Sequence, residues 1–271
     1  MSAFFTDPRP GRPGLALFFN AGDPPLDVFE ELLLLMDDCR VDCLELAVPF
    51  PNSPTDGPVI QESAKRALDD GVDLDAVLSF VERVRPRLQH LKIALLADWR
   101  HSIRPTPMRD FMERVMGSRS DGLLVHGLPP RLRPEYFEAA EQVAMPIVTT
   151  AYVTSDPPTL HEAAEHGSAY IYLVASYGRS GTVGPPDHST LVPVMDALRK
   201  HATVPIAVGF GVKDRSHIEG LGAVGADAAI VGSTCVARVT KARAEGRDVV
   251  EDFRDLLVEF GESPSTHAKE D

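Results

Sequence analysis

Residues 204–232 read VPIAVGFGVKDRSHIEGLGAVGADAAIVG, an apolar run, an amphipathic stretch and a second apolar run. The two runs, VPIAVGF (204–210) and ADAAIVG (226–232), are short and rich in Val, Ile and Ala. Strands buried on both faces read this way, because a parallel sheet covered by helices leaves no face for water. Between them Ser216–Val224 carries apolar residues at helical spacing, so the segment is one βαβ unit.

The alternation extends outward from it. Further strand candidates are LALFFN (15–20), DCLELAV (42–48), LKIALLA (91–97), DGLLVHG (121–127), PIVTTAY (146–152) and AYIYLVA (169–175). Helical patterns lie at Val28–Met36, Leu74–Val84, Met108–Met116, Pro134–Val143, Leu160–His166, Leu191–His201 and Val249–Phe260. Eight βα units in this length predict a single-domain α/β fold, a (βα)8 TIM barrel, because a doubly wound sheet usually has five or six parallel strands. Residues 15–261 then form the barrel, 1–14 a Pro-rich arm and 262–271 a polar tail.

At 271 residues and 44% hydrophobic the chain can bury the core of an enzyme. Its 27 Lys+Arg against 40 Asp+Glu leave a formal charge of -13, which repels a phosphate backbone, so no nucleic-acid partner is expected. An anionic small molecule has to be held locally, by N–H groups at helix ends. No apolar run reaches the roughly 18 residues of a membrane span, and the start lacks a signal-type apolar core, so a cytoplasmic protein with no membrane contact is expected. Cys39, Cys43 and Cys235 include no CxxC; they read as buried small apolar groups, with no metal site implied.

In such a barrel the chemistry sits in the loops after the strands. Alternation in DCLELAV puts Glu45 on one face with Cys43 and Ala47, while Leu44, Leu46 and Val48 suit the layer under the helices. A carboxylate inside the barrel mouth is either a proton-transfer group of raised pKa or a carboxylate satisfied by hydrogen bonds. Asp56, followed by Gly57-Pro58, taken alone reads as an Asx-turn; paired with Glu45 it offers a second carboxylate of different environment, an arrangement that separates pKa values and roles.

Glycines mark the other loops. Ser176 to Pro185 contains Gly178, Arg179, Ser180 and Gly181 and reads as a mobile lid. Gly211 after the seventh strand, and Gly232 and Ser233 after the eighth before a short helix, stand where barrels commonly bind phosphate. Phe18, Phe210 and Tyr172 suit either an apolar slot for a flat aromatic group or plain core packing. His126, ending the fourth strand, faces the mouth as a catalytic imidazole or as a partly buried, hydrogen-bonded one.

These stretches, FFNAGDP, LELAVPF…DGPVIQESAKRAL and VGFGVKD…GADAAIVGS, resemble the tryptophan synthase alpha subunit family across roughly residues 15 to 260. The glutamate strand with a DGP loop eleven residues on is specific to that family. The resemblance implies a lyase that cleaves indole-3-glycerol phosphate to indole and glyceraldehyde 3-phosphate without metal or organic cofactor. It implies Glu45 as the catalytic acid and base, Asp56 as the acceptor of the indole N–H, and Tyr172 beside the substrate. Gly181, Gly211, Gly232 and Ser233 match the phosphate cradle, and Phe18 and Phe210 the walls of the indole slot.

The departures cluster where the family docks its beta subunit. Pro51-Asn52-Ser53 replaces Ser-Asp-Pro, Ala97-Asp98-Trp99-Arg100-His101 replaces a Tyr-x-Asn-Pro type of segment, and Gly127-Leu128-Pro129 replaces Asp-(Leu/Val)-Pro. In the lid Gly178-Arg179-Ser180-Gly181 stands for Gly-Val-Thr-Gly, and the helix that plugs the barrel floor is reduced to the Pro-rich arm. Retained chemistry with a rewritten docking surface suggests an indole-releasing lyase that works without its beta subunit. The alternatives are a paralogue acting on another indolic or aryl phosphate, with Trp99, His101 and His126 altering the mouth, or a non-catalytic barrel partner.

Overall fold

The computed structural model describes residues 4–5, 12–175, 188–209 and 211–263. Eight parallel strands form the sheet: β1 (Gly14–Asn20), β2 (Cys43–Ala47), β3 (Lys92–Asp98), β4 (Gly122–His126), β5 (Val148–Tyr152), β6 (Tyr170–Val174), β7 (Ile206–Gly209) and β8 (Ala228–Val231). Their order, β4-β3-β2-β1-β8-β7-β6-β5, closes on itself through a single bridge between Leu123 and Ile147. The result is a nearly closed TIM barrel with a thin β4/β5 seam.

Ten helices surround it among the described residues: α1 (Leu26–Asp38), α2 (Pro58–Asp69), α3 (Leu74–Val84), α4 (Met108–Gly117), α5 (Arg133–Val143), α6 (Pro157–His166), α7 (Val192–Arg199), α8 (Arg215–Ala223), α9 (Ser233–Ala244) and α10 (Val249–Phe260). Helix α2 is not among the periodic segments of the sequence. Its buried face is Ile60, Ser63, Ala64 and Ala67, too small and polar to stand out, and its start is set by Pro58 in the first turn, where a missing N–H costs nothing. Helix α9, expected as a short helix, runs 12 residues.

Register decides which side chains enter the barrel. Phe18 lies opposite Glu45, Glu45 opposite Ala94, and Ala94 opposite Gly122, so these positions share the inner face. On the far side Thr150 pairs with Tyr172 and Tyr172 with Ala207. The alternate residues, Leu44 and Leu46 among them, pack outward under the helices in the main core. Small side chains, Ala16, Cys43, Ala94, Ala207 and Ala228, occupy the lower interior and leave room for one large ring, Tyr170.

The floor is closed by the arm. Phe4 is buried with its ring centroid 5.3 Å from that of Tyr170, and Phe5 lies at the same distance edge-on, so two aromatic rings cover the bottom where a helix was expected to be missing. A repeated aspartate fixes the register there. Asp42, Asp121 and Asp227, each just before a strand, accept the N–H of Leu15, Ile93 and Ile206 at the start of the neighbouring one. Such charge-assisted bonds satisfy a donor that the ladder cannot reach. Cys39, Cys43 and Cys235 are all buried thiols.

Candidate active site

A cavity of about 1030 Å³, counted to its open mouth, occupies the C-terminal end of the barrel. Glu45, Asp56, Tyr172, Phe18, Gly211, Gly232 and Ser233 all line it, so the structure brings these sequence candidates into one site. Phe210, Gly178, Arg179, Ser180 and Gly181 lie outside the described residues.

Glu45 is 2% exposed. Its Oε1 accepts a 2.6 Å hydrogen bond from the Tyr170 hydroxyl, which rises from the ring below. Burial pushes the Glu45 pKa up to about 7, and the tyrosine bond opposes that rise without cancelling it. Tyr170 is itself held protonated, because burial and the neighbouring Glu45 charge push its pKa well above the ordinary phenol value. One oxygen is therefore anchored by a fixed donor and the other is the one offered to a ligand. Of the two readings open for this carboxylate, the hydrogen-bonded one is seen directly in the Tyr170 contact, and the raised pKa is compatible with the other.

Asp56 enters from the loop between β2 and α2. Gln61 Nε2 donates to the backbone carbonyls of Ser53 and Asp56 at 2.7 and 3.0 Å, holding the loop on the first turn of α2. Burial raises the Asp56 pKa, countered by a hydrogen bond from Ser53 and by the charge of His126. Asn20, buried at the end of β1, ties α2 to the barrel through Ile60 O and Ser63 Oγ, each at 3.1 Å. Asp23 braces the next loop by accepting from Arg66 on α2 and Arg243 on α9.

The opposite wall carries a glycine loop and a helix start. Gly211 adopts a φ of +83°, a conformation side chains resist, and Thr234 Oγ1 donates to Val212 O at 3.3 Å, joining the loop after β7 to the start of α9. Ser233 is the first residue of that helix and lines the cavity with Gly232, so the positive end of the helix dipole lies at this wall. Gly209 makes room for Tyr172: a Cβ there would stand 2.8 Å from the phenol ring. Burial also pushes the Tyr172 pKa well above its ordinary value, so this ring presents a neutral hydroxyl.

Sequence reasoning missed Tyr170, although strict alternation in AYIYLVA places both tyrosines on one face. It also missed Asn20, Ser53, Thr55 and Asp98. His126 does line the cavity, and its Nδ1 is 3.1 Å from Asp98 Oδ2. The pair follows from register alone, Asp98 being opposite His126 across β3 and β4.

A buried carboxyl group of raised pKa, a second carboxylate a loop away and a helix start at the mouth of a (βα)8 barrel are the setting of an enzyme of the TIM-barrel class. The comparisons agree. A family profile described as tryptophan synthase alpha chain matches residues 4–263. The tryptophan synthase alpha chain of Geotalea uraniireducens is 34% identical over 223 residues, covering 82% of each chain. That of Picosynechococcus sp. is 33% identical over 250 residues, covering 92% of this chain and 94% of the other. A mutant tryptophan synthase alpha-subunit from the hyperthermophile Pyrococcus furiosus superimposes with a TM-score of 0.80 at 28% identity, over 92% of this chain and 97% of that one. A chain of the tryptophan synthase complex of the same organism gives 0.79 at 27% identity, over 92% and 98%. The protein belongs to the tryptophan synthase alpha chain family and is a carbon–carbon lyase.

Proposed function

We propose that Glu45, Asp56 and the α9 cradle carry out the cleavage of indole-3-glycerol phosphate to indole and glyceraldehyde 3-phosphate. The observation that carries this assignment is the buried Glu45, with a pKa of about 7, facing a cavity that Asp56 shares. The reaction needs one proton delivered to C3 of the indole and one removed from the hydroxyl on the adjoining side-chain carbon. Protonation at C3 leaves positive charge on the ring nitrogen. The bond between C3 and that carbon then breaks, its electron pair restores the indole, and the hydroxyl becomes the aldehyde. The proton given equals the proton taken, so a single carboxyl group serves both steps, and a pKa near the working pH suits both directions.

Asp56 in its ionised form accepts the indole N–H and stabilises the charge that develops there. Tyr172 and Phe18 pack the flat ring, and the family resemblance assigns Phe210 to the same slot. The phosphate rests on the N–H groups of Gly211, Gly232 and Ser233 and on the Ser233 hydroxyl; the family resemblance adds Gly181 to this cradle. The charge of -13 is then a property of the outer surface, overridden at one helix end.

Ser233→Ala keeps the N–H and removes the hydroxyl, and is expected to raise KM about 10-fold and leave kcat nearly unchanged, because a hydrogen bond from that hydroxyl to a charged group is worth roughly 1.5–3 kcal/mol. Steady-state indole release over a range of substrate concentrations checks it; an unchanged KM places the phosphate elsewhere.

We assign the chain to the cytoplasm, in keeping with a small metabolite substrate; no described helix is long and apolar enough to cross a membrane. A tryptophan synthase beta subunit is the partner the family offers. Of the positions expected to meet it, Asp98 and His101 are engaged within the chain: His101 stacks on Phe50, and Asp98 accepts from His101 and from His126. That engagement supports a lyase able to act alone.

A further inference from the structure

The Asp98–His126 pair sits in the wall of the cavity and has no part in the chemistry described so far. Asp98 is buried at the end of β3. It accepts from the His101 ring at 2.6 Å, the His101 N–H at 3.0 Å and His126 Nδ1 at 3.1 Å. Burial alone raises its pKa, but these three donors outweigh it and hold the carboxyl below its usual range, so Asp98 is a fixed anion. The Phe50 ring stacks against His126 at 5.5 Å between centroids and fixes the plane of the imidazole.

The other ring nitrogen faces the Asp56 loop. His126 Nε2 is 3.3 Å from Thr55 Oγ1, Thr55 Oγ1 is 3.4 Å from Ser53 Oγ, and the Ser53 hydroxyl bonds to the Asp56 carboxylate. With both ring nitrogens protonated every link has a donor: Nδ1–H to Asp98, Nε2–H to Thr55, Thr55 O–H to Ser53, Ser53 O–H to Asp56. With Nε2 unprotonated, Thr55 turns its proton back to the ring and the Thr55–Ser53 contact loses its hydrogen. The two hydroxyl contacts, at 3.3 and 3.4 Å, are longer than the usual range for such bonds, so each link is weak by itself.

We propose that the Asp98–His126 pair is a positioning device for Asp56, acting on the loop through the Thr55 and Ser53 hydroxyls and, whenever the ring carries a proton on both nitrogens, on the carboxylate through its charge. The inference rests on the lyase reading only where turnover is measured. The other titratable groups around His126 do not replace it. His101 lies across Phe50 and shares Asp98. Glu45, Tyr152 and Tyr172 line the same cavity, and on the far side of β4 Arg133 and Glu162 pair with each other at 2.7 Å, near Tyr136.

The test compares wild type, His126→Ala and His126→Gln in two measurements. Hydrogen exchange of the peptide spanning residues 51–57 reads the loop, and the pH profile of kcat/KM for indole release reads Asp56. In His126→Ala we expect exchange at least 10-fold faster, kcat down about 10-fold or more with a smaller change in KM, and an acid limb moved to higher pH. The sign follows from Asp56, which must be ionised to work: removing a nearby positive charge lets its pKa rise, so activity is lost sooner as pH falls. In His126→Gln the side-chain amide still donates to Thr55, so loop protection returns while the acid limb stays displaced. Unchanged exchange in His126→Ala overturns the positioning claim, and an acid limb in His126→Gln identical to wild type overturns the charge claim. A wild type that releases no indole overturns the function proposed above, and the exchange measurement still decides the positioning claim.

Discussion

Glu45→Gln is expected to release indole about 10²–10⁴ times more slowly than wild type, with substrate binding little changed. Glutamine keeps the shape and the acceptor that the Tyr170 hydroxyl needs, so the barrel interior is undisturbed and only the mobile proton is lost. The same substitution should stabilise the protein, and the sign depends on pH. Burial raises the Glu45 pKa from 4.5 to about 7 in the folded chain, so the folded state holds its proton more tightly than the unfolded state does. Its contribution to stability is complete below pH 4.5, falls as pH rises through that window, and is lost above about 7. At pH 8 the buried charge costs on the order of 3 kcal/mol, which glutamine removes. Thermal melts at pH 4 and pH 8 check this: the variant gains over wild type at the higher pH and gains little at the lower. An inactive variant with no such pH-dependent gain would place Glu45 in a wetter setting than the structure shows.

Asp56→Asn is the second large effect, a loss of about 10–100-fold in kcat/KM. The amide oxygen still accepts an N–H, but it carries no charge to match the positive charge developing on the ring nitrogen, and charge-assisted bonds are roughly twice as strong as neutral ones. The pH profile separates this from a packing defect. Burial places the Asp56 pKa above the ordinary carboxylate value, so the wild type loses activity as pH falls through it. The asparagine variant, with nothing to titrate there, loses that limb. Retention of the same limb in Asp56→Asn would assign it to another group.

Much of this was legible before any coordinates. Alternation in DCLELAV separates Glu45 from Leu44 and Leu46, and the register confirms that split to the residue, with Glu45 opposite Phe18 on one side and Ala94 on the other. Strand ends were legible because apolar runs stop at Gly and Pro. What could not be read is what depends on register between strands or on contact between loops. Asp98 and His126 are 28 residues apart and meet only because β3 and β4 align them. Tyr170 and Tyr172 look equivalent in sequence; depth in the barrel distinguishes them, the first reaching Glu45 from below and the second lining the cavity above. Helix α2 escaped because a buried face of Ser63, Ala64 and Ala67 carries too little hydrophobic contrast to mark a period. How the floor is closed could not be read for a related reason. A Pro-rich arm has no periodicity, yet two aromatic rings at Phe4 and Phe5 suffice to close the space over Tyr170.

The central claim is that this chain breaks a carbon–carbon bond by protonating an indole at C3. A single-turnover reaction of the isolated protein with indole-3-glycerol phosphate in heavy water tests it most directly. The account predicts indole and glyceraldehyde 3-phosphate in equal amounts, the indole carrying one deuterium at C3, and no such burst from Glu45→Gln. Absence of indole from the wild type, or indole released at the wild-type rate by Glu45→Gln, would contradict it.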